Sequence, residues 1–300
     1  MIPPYPKVLT VGTRGTERLF EGPVIIQEKV DGSQFRFGLS PNGDLEFASH
    51  HQQVFPGSAG MFEPVVQYLL ERETTIRSYL DAPSYVCGEY LARPRQNTLV
   101  YARRPNGYLV LFDILDPGGF GHYPAVLSAL GKALECDVIP TLFEGTTTLN
   151  DARTLLSGES FLGGTTVEGI VIKNYHENIR LGSQVFPLFC KLVNESFKEK
   201  HARNPDWKSG KSKETEYYES FRTEARWRKA IQHLRERGEL EDSPRDIGKI
   251  MKEIHDDLVA EEGDDIREWL YKHHIKDLVR TVQRGLPEWY KDLLARAIDA

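Results

Sequence analysis

The sequence predicts a mixed α+β protein, with largely antiparallel sheets and flanking helices over residues 1–204 and a small all-helical domain over 205–300. Two observations on pattern and one on composition carry this prediction. Short runs rich in β-branched and aromatic residues, bounded by Gly, Pro, Asn and Asp, punctuate the first two thirds of the chain. Beyond about residue 205 the apolar residues recur instead at helical spacing. Charge density steps up at the same place: residues 1–200 carry 18 basic and 22 acidic side chains, and the last hundred residues alone carry 20 and 22.

Strands are expected at Val24-Ile25-Ile26, Phe35-Arg36-Phe37, Tyr85-Val86-Cys87, Tyr108-Leu109-Val110-Leu111-Phe112 and Ile170-Val171-Ile172. Pro41-Asn42-Gly43-Asp44 reads as a hairpin, because Asn-Gly accepts the positive φ of a tight turn. Helices are expected over about 61–80, after Met61-Phe62-Glu63-Pro64, and over about 122–135. In the last third, Tyr217, Phe221, Ala225, Ile231 and Leu234 suggest amphipathic helix. Ile247, Ile250, Met251, Ile254 and Leu258 form a further stripe, and Ser243-Pro244 supplies an N-cap followed by proline at the first helical position. Ile266, Trp269, Leu270 and His273 continue the pattern, as do Trp289, Leu293 and Ala297 after Pro287. Periodicity does not separate a packed domain from a solvated oligomerisation appendage, so the oligomeric state stays open.

Composition excludes several classes. A chain of 300 residues has room for two domains, and 40% hydrophobic with 27% charged residues supports a packed core over disorder. No run approaches the roughly 18 apolar residues of a membrane span, and MIPPYPKVLT has neither the basic nor the apolar region of a leader. A soluble, cytoplasmic protein without a membrane partner is expected. Cys87, Cys136 and Cys190 are odd in number, far apart and set in apolar runs, which points to reduced, buried thiols. A net charge of −6 argues against a passive nucleic-acid coat, since such binding runs on phosphate neutralisation, although a local basic groove stays compatible with it. His50-His51 and His273-His274 lack the companions of a zinc site, and no P-loop or dinucleotide-binding glycine pattern is present.

The chemistry begins at Gln27-Glu28-Lys29-Val30-Asp31-Gly32, where a lysine ends a strand and Asp-Gly follows on a tight turn. Alone this is weak, since average composition yields such a Lys-x-Asp-Gly match in roughly one chain of this length in fifteen. Four further segments follow in order: Val86-Cys87-Gly88-Glu89-Tyr90-Leu91, Leu109-Val110-Leu111-Phe112-Asp113-Ile114, Val167-Glu168-Gly169-Ile170-Val171-Ile172-Lys173, and Phe189-Cys190-Lys191-Leu192-Val193-Asn194. Each sets a charged or aromatic side chain in an apolar strand, which is costly unless the group is paired or serves a site. One at a time, each could equally sit on the solvent face of a half-buried strand.

Jointly and in this order, the five segments resemble the motifs of covalent nucleotidyltransferases, a group that includes ATP-dependent DNA and RNA ligases and messenger-RNA capping enzymes. The resemblance spans residues 24–200 and is closest to the RNA ligase 2 family. It implies a nucleotidyltransferase domain of ATP-grasp-like antiparallel sheets and an RNA-repair enzyme that joins 3′-hydroxyl and 5′-phosphate ends. Lys29 would attack ATP to form lysyl-AMP, with Glu28 and Gly32 of its motif at the nucleotide. Only a neutral amine is nucleophilic, and a reference pKa of about 10.4 requires a neighbouring cation or metal to depress it. Glu89 would accept hydrogen bonds from the ribose and Phe112 would stack on adenine. Glu168 would be a ligand for Mg2+ or Mn2+. Lys173 and Lys191 would clamp the triphosphate and add the repulsion that lowers the pKa of Lys29.

Two positions depart from the family pattern. Ser49-His50-His51 stands where an RNA ligase usually has Ser-Arg, so either His50 takes over a phosphate contact or the role moves elsewhere. Val193 stands where motif V often carries a second lysine, which shifts triphosphate contacts to Lys173, Arg180 or Lys198. Gln34, five residues after Lys29, is an amide like the asparagine of the RNA ligase 2 type, and a helical C-terminal part replaces the OB-fold of DNA ligases and capping enzymes. Both features favour RNA ends, including nicked duplexes, as substrate. Arg93, Arg95, Arg103 and Arg104 form one candidate polynucleotide contact, and Lys198, Lys200, Arg203, Lys208, Lys211 and Lys213 a second. Arg222, Arg226, Arg228 and Lys229, interleaved with Tyr217, Tyr218 and Trp227, form a third or simply a solvated helix face. The competing readings are a DNA ligase or guanylyltransferase without its OB domain, and a catalytically silent nucleic-acid-binding module.

Overall fold

The computed structural model describes residues 2–50, 52–116, 119–121, 123–181, 184–194 and 213–291. It divides the chain into two compact units, residues 1–246 and 247–300. The boundary expected at 204/205 lies outside the described residues.

In chain order the first unit contains β1 (Leu9–Thr10), β2 (Val24–Lys29), β3 (Ser33–Leu39), β4 (Leu45–Ser49) and β5 (Gln53–Val54), then α1 (Glu63–Leu70) and α2 (Glu73–Tyr79). These are followed by β6 (Ser84–Tyr90), β7 (Leu109–Asp116), β8 (Gly119–Gly121), α3 (Pro124–Leu134), β9 (Asp137–Val138), β10 (Thr141–Gly145) and α4 (Leu149–Thr154). Long strands β11 (Gly169–Leu181) and β12 (Gln184–Val193) form a hairpin, and α5 (Lys213–Ser220) and α6 (Glu224–Glu236) follow. One sheet has the order β1-β12-β11-β2-β10, and the other runs β5-β4-β3-β6-β7-β8 with β9 added beside β7. Every pairing is antiparallel except β1 with β12 and β7 with β9. The mixed α+β expectation and the antiparallel sheets are thus observed.

Each element follows from local chemistry. The helix expected over 61–80 is two helices, broken at Glu71-Arg72. Glu63 starts the first by accepting N–H groups of Gly57 and Ala59 at 3.1 and 3.0 Å, which satisfies donors ahead of the helix. Helix α3 begins on Pro124 and stops at Glu135 in the left-handed region, φ 54°. Thr148 and Thr223 cap α4 and α6 through their hydroxyl oxygens.

Three large apolar clusters and a small one of Ile2, Ala48 and Tyr85 hold the first unit together. Phe35, Phe37, Phe47 and Phe62 are fully or nearly fully buried between the second sheet and α1 to α3. Each such side chain contributes about 1.5–3 kcal/mol of burial. Val24, Ile26, Ile170, Ile172 and Cys190 cover the outer face of the first sheet, packed against Leu19 and Ala152. Val30, Leu91, Leu99, Tyr101, Val110 and Leu162 form a third cluster around the chain's crossing from the first sheet to the second. All three cysteines are free and buried, and burial pushes the Cys136 and Cys190 thiols up to about 12.

In the second unit, α7 (Ile247–Gln283) is one 37-residue helix preceded by the single turn Pro244–Asp246. It contains both stripes expected from Ile247 and from Ile266. Residues 286–291 are helical again, while Leu293 and Ala297 lie outside the described residues. Ile247, Met251, Tyr271 and Leu278 of α7 are exposed. No helix among the described residues is long and apolar enough to cross a membrane.

Candidate active site

Strand β2 leaves the first sheet at Lys29 and β3 enters the second at Ser33, so Val30-Asp31-Gly32 is the crossing. Side chains alternate along a strand, which sends Val24, Ile26 and Glu28 to one face and Lys29 to the other. Asp31 fastens the crossing: its Oδ2 accepts the N–H groups of Thr98 and Leu99 at 2.8 and 2.7 Å, and its own N–H donates to Tyr101 Oη at 2.7 Å. Asn97 Nδ2 donates to the Gly32 carbonyl at 2.7 Å. Gly32 is required by space, since a Cβ there would lie 2.7 Å from both Glu89 Cγ and the Tyr90 carbonyl oxygen.

Gly169 pairs with Lys29 across the ladder, which sets Glu168 at the start of β11 beside the lysine. Lys29 Nζ donates to Glu168 Oε1 and Oε2 at 2.8 and 2.7 Å. The Lys29 side chain is 30% exposed and that of Glu168 13%. Burial disfavours the ammonium, but the charge and hydrogen bonds of Glu168, joined by Glu89 and Asp31, outweigh it and hold Lys29 above its ordinary pKa. The depressed amine expected from neighbouring lysines is therefore not the state of this site, because the neighbours of Lys29 are carboxylates. Burial raises the Glu168 carboxyl, while Lys29 and Lys191 pull it down. Lys191 thus shares the field of Glu168, from β12.

Glu89 pairs in register with Gln34, and His50 Nδ1 lies 3.2 Å from Gln34 Oε1. Burial, with repulsion from Glu236, Glu168 and Asp31, pushes the Glu89 carboxyl up to about 8 against the attraction of Lys29. Arg36 donates to the Ser49 carbonyl and fixes the strand end that presents His50.

Phe112 and Lys173 belong to a second, deeper group. Cys87 pairs with Asp113 and the adjacent Gly88 with Leu111, so Phe112 is the extra residue of a β-bulge. The bulge turns Phe112 and Asp113 out of the core that holds Leu109, Leu111 and Ile114. Lys173 Nζ donates to Asp113 Oδ2 at 2.8 Å and to the Phe112 carbonyl at 3.2 Å, and lies 5.1 Å from the centroid of the Phe112 ring. Tyr175 Oη donates to Asp113 Oδ1 at 2.6 Å, Tyr5 Oη donates to Oδ2, and the Tyr5 ring meets Phe112 edge-on at 5.3 Å. Lys173 pairs with Ile25 and Gly169 with Lys29. Four residues of strand, about 13 Å, therefore separate the two lysines.

The sequence candidates thus fall into distinct places. Lys29, Glu89, Glu168 and Lys191 are brought together with the Gly32 crossing and the Gln34–His50 pair. Glu28 faces the other way, accepting Ser160 Oγ at 2.5 Å and the Phe161 N–H at 3.0 Å. Arg93 and Arg95 are exposed on the loop that Asn97, Thr98 and Leu99 tie to the crossing. Arg103 pairs with Asp137, and Arg104 stacks on Tyr108 at 4.2 Å. On the later helices Tyr218 and Trp227 are exposed while Arg226 is buried. Lys198, Lys200, Arg203, Lys208 and Lys211, the side chain of Lys213, and His51 lie outside the described residues. Asp113, Tyr5 and Tyr175 were not foreseen. Asp113 had a signal, as a carboxylate inside an apolar strand, whereas Tyr5 lies 108 residues away in sequence.

The RNA ligase family model matches residues 22–188, more than half of the chain, a span that includes Lys29, Glu89, Phe112, Glu168 and Lys173 but ends before Lys191. The protein belongs to the RNA ligase family. Among solved structures, the RNA ligase of Naegleria gruberi with pyrophosphate is 16% identical with a TM-score of 0.48, covering 65% of this chain and 57% of that one. Variants of the same ligase with ATP and Mn, and with AMP and Mn, are each 14% identical with a TM-score of 0.46 and the same coverage. The chain therefore spans 57% of the length of those proteins. No curated protein matches it.

Proposed function

We propose that the chain is an ATP-dependent RNA ligase that works through a covalent adenylate on Lys29. The observation that carries the reading is the Lys29–Glu168 pair at the crossing, a partly exposed lysine held beside carboxylates within the matched span. Neutral Lys29 Nζ attacks the α-phosphorus of ATP, an N–P bond forms, and the bond to the β-phosphate oxygen breaks with release of pyrophosphate. A 5′-phosphate oxygen then displaces the lysine and takes the AMP, and a 3′-hydroxyl attacks that 5′-phosphorus and expels AMP. Each step is a phosphoryl transfer, governed mainly by positioning and charge.

Within this chemistry Glu168 has two roles. Bound to Lys29 it keeps the amine protonated and in place, so attack requires one proton to leave Nζ, to the Glu168 carboxylate or to solvent, and those two hydrogen bonds to be given up. Among the described residues no cluster of three or more His, Cys, Asp or Glu could hold a metal. A hard cation with one carboxylate and several phosphate or water oxygens fits Glu168, and Mg2+ or Mn2+ would supply charge neutralisation there. Glu89, raised to about 8, can meet ribose hydroxyls as donor or acceptor near neutral pH. Phe112 offers its ring to adenine, and Lys173 supports that ring from below. Lys191 lies in the field of the Glu168 carboxylate, where the phosphates would lie. Arg93 and Arg95 stand next to the crossing for the RNA backbone, and the Gln34–His50 pair sits beside Glu89.

The test is incubation with labelled ATP or GTP and divalent metal, with mass spectrometry of the Lys29 peptide after removal of any pre-bound AMP. ATP should add one AMP to Lys29 and nothing to a Lys29→Ala chain. A chain that takes neither nucleotide is no ligase, and one that takes GTP alone is a guanylyltransferase. Sealing of nicked RNA beside nicked DNA then decides the strand preference.

A further inference from the structure

Helix α6 reaches the nucleophile's crossing from outside residues 22–188. Gln232 Nε2 donates to the Gly32 carbonyl at 2.8 Å and to Glu236 Oε1 at 2.8 Å. Residues four apart share a helix face, so both side chains point the same way. Glu236 is 6% exposed; burial raises its carboxyl, while Ser33 and Gln232 pull it down. It is also one of the charges acting on Glu89. The helix itself is firmly seated, with Thr223 as its cap and Ala230 and Leu234 buried. A buried carboxylate on a helix is costly unless polar partners meet it, and here Gln232 of the same helix, which also reaches the crossing, donates to it.

The Gly32 carbonyl therefore receives two donors from two separate elements, Asn97 of the loop before β7 and Gln232 of α6. A carbonyl has two lone pairs, and both are occupied. A peptide held in this way cannot rotate without breaking both bonds.

We propose that Gln232 and Glu236 are positioning residues of the adenylation site. They fix the Gly32–Ser33 peptide and, through it, the aim of Lys29 along the chain and of Glu89 across the ladder. The proposal rests on the lysyl-AMP reading. It makes α6 a working part of the site rather than an accessory that only binds RNA.

The test uses the full chain with Gln232→Ala, the isosteric Gln232→Glu, which has no amide N–H to donate, and Glu236→Gln, which keeps an acceptor oxygen for Gln232. Single-turnover formation of lysyl-AMP is followed across ATP concentrations, and amide exchange is followed over residues 30–34. Both Gln232 variants should slow adenylation at saturating ATP by roughly ten-fold or more. Half-saturation by ATP should move by less than about two-fold, as expected for lost alignment rather than lost binding. Exchange over 30–34 should quicken in both, and Glu236→Gln, which keeps an oxygen for Gln232 but loses the charge, should move rate and exchange the same way by a smaller factor. A Gln232→Glu chain with parental rate and parental exchange overturns the proposal. If the parent chain forms no lysyl-AMP, the ligase reading falls, and exchange over 30–34 alone still decides whether α6 holds the crossing.

Discussion

Two lysine–carboxylate pairs stand along β11, and they are opposites. Lys29 and Glu168 sit at the strand's entrance with side chains 30% and 13% exposed. Lys173 and Asp113 sit deeper at 2% and 1%, with two tyrosines closing around the carboxylate. A charge pair reached by solvent can be opened and exchanged for other partners, whereas a sealed one is fixed by the cost of leaving either charge alone. The entrance pair suits chemistry, and the deep pair suits holding the Phe112 platform in place.

The largest expected effect separates these roles. Asp113→Ala should cost about 3–5 kcal/mol in a urea titration, because it strands a buried ammonium. Glu168→Ala should cost less in the same titration, because the partly exposed Lys29 keeps the charges of Glu89 and Asp31 beside it. Equal losses would erase the distinction. The double change Asp113→Leu with Lys173→Met should recover only part of the stability, since it removes both charges together but leaves the Tyr5 and Tyr175 hydroxyls without their acceptor.

A smaller effect tests the entrance through pH. The folded Glu89 carboxyl titrates at about 8, above its unfolded value, so the folded state binds the extra proton between the two. Its contribution to stability is complete below the unfolded pKa near 4.3 and is lost as pH rises through 8. Glu89→Gln should therefore flatten the fall in stability between about pH 5 and 8, by on the order of 1 kcal/mol. A variant whose stability still declines like the parent's would assign that slope to other groups.

The smallest effect lies on the surface. Arg93→Ala and Arg95→Ala should leave lysyl-AMP formation unchanged and weaken RNA binding, each lowering the salt slope by about 0.7–0.9. An unchanged slope would remove the loop from the RNA contact.

The sequence carried the entrance group well and the deep group poorly, for a physical reason. Lys29, Glu89 and Glu168 lie in short motifs whose order along the chain survives in any fold built from them. Lys173 and Phe112 lie in such motifs too, but their setting depends on a bulge and on Tyr5, which periodicity does not reveal. Glu28 illustrates the limit of a motif: strand alternation turns it to the far face from its neighbour Lys29. Gln232 and Glu236 offered no signal, being two polar residues among many on a charge-rich helix. The α+β class and the helical tail were legible from composition and period, while the division of 61–80 into two helices depended on local geometry at Glu71-Arg72.

The bulge at Phe112 carries a last consequence. Without that one residue, β7 would alternate regularly, with Leu109, Leu111 and Ile114 still on their shared inner face. A deletion of a single codon would give a tidier and no less cohesive strand that has lost its aromatic shelf. Whether β7 presents an aromatic shelf is thus a matter of strand length, open to change by insertion and deletion while Leu109, Leu111 and Ile114 stay as they are.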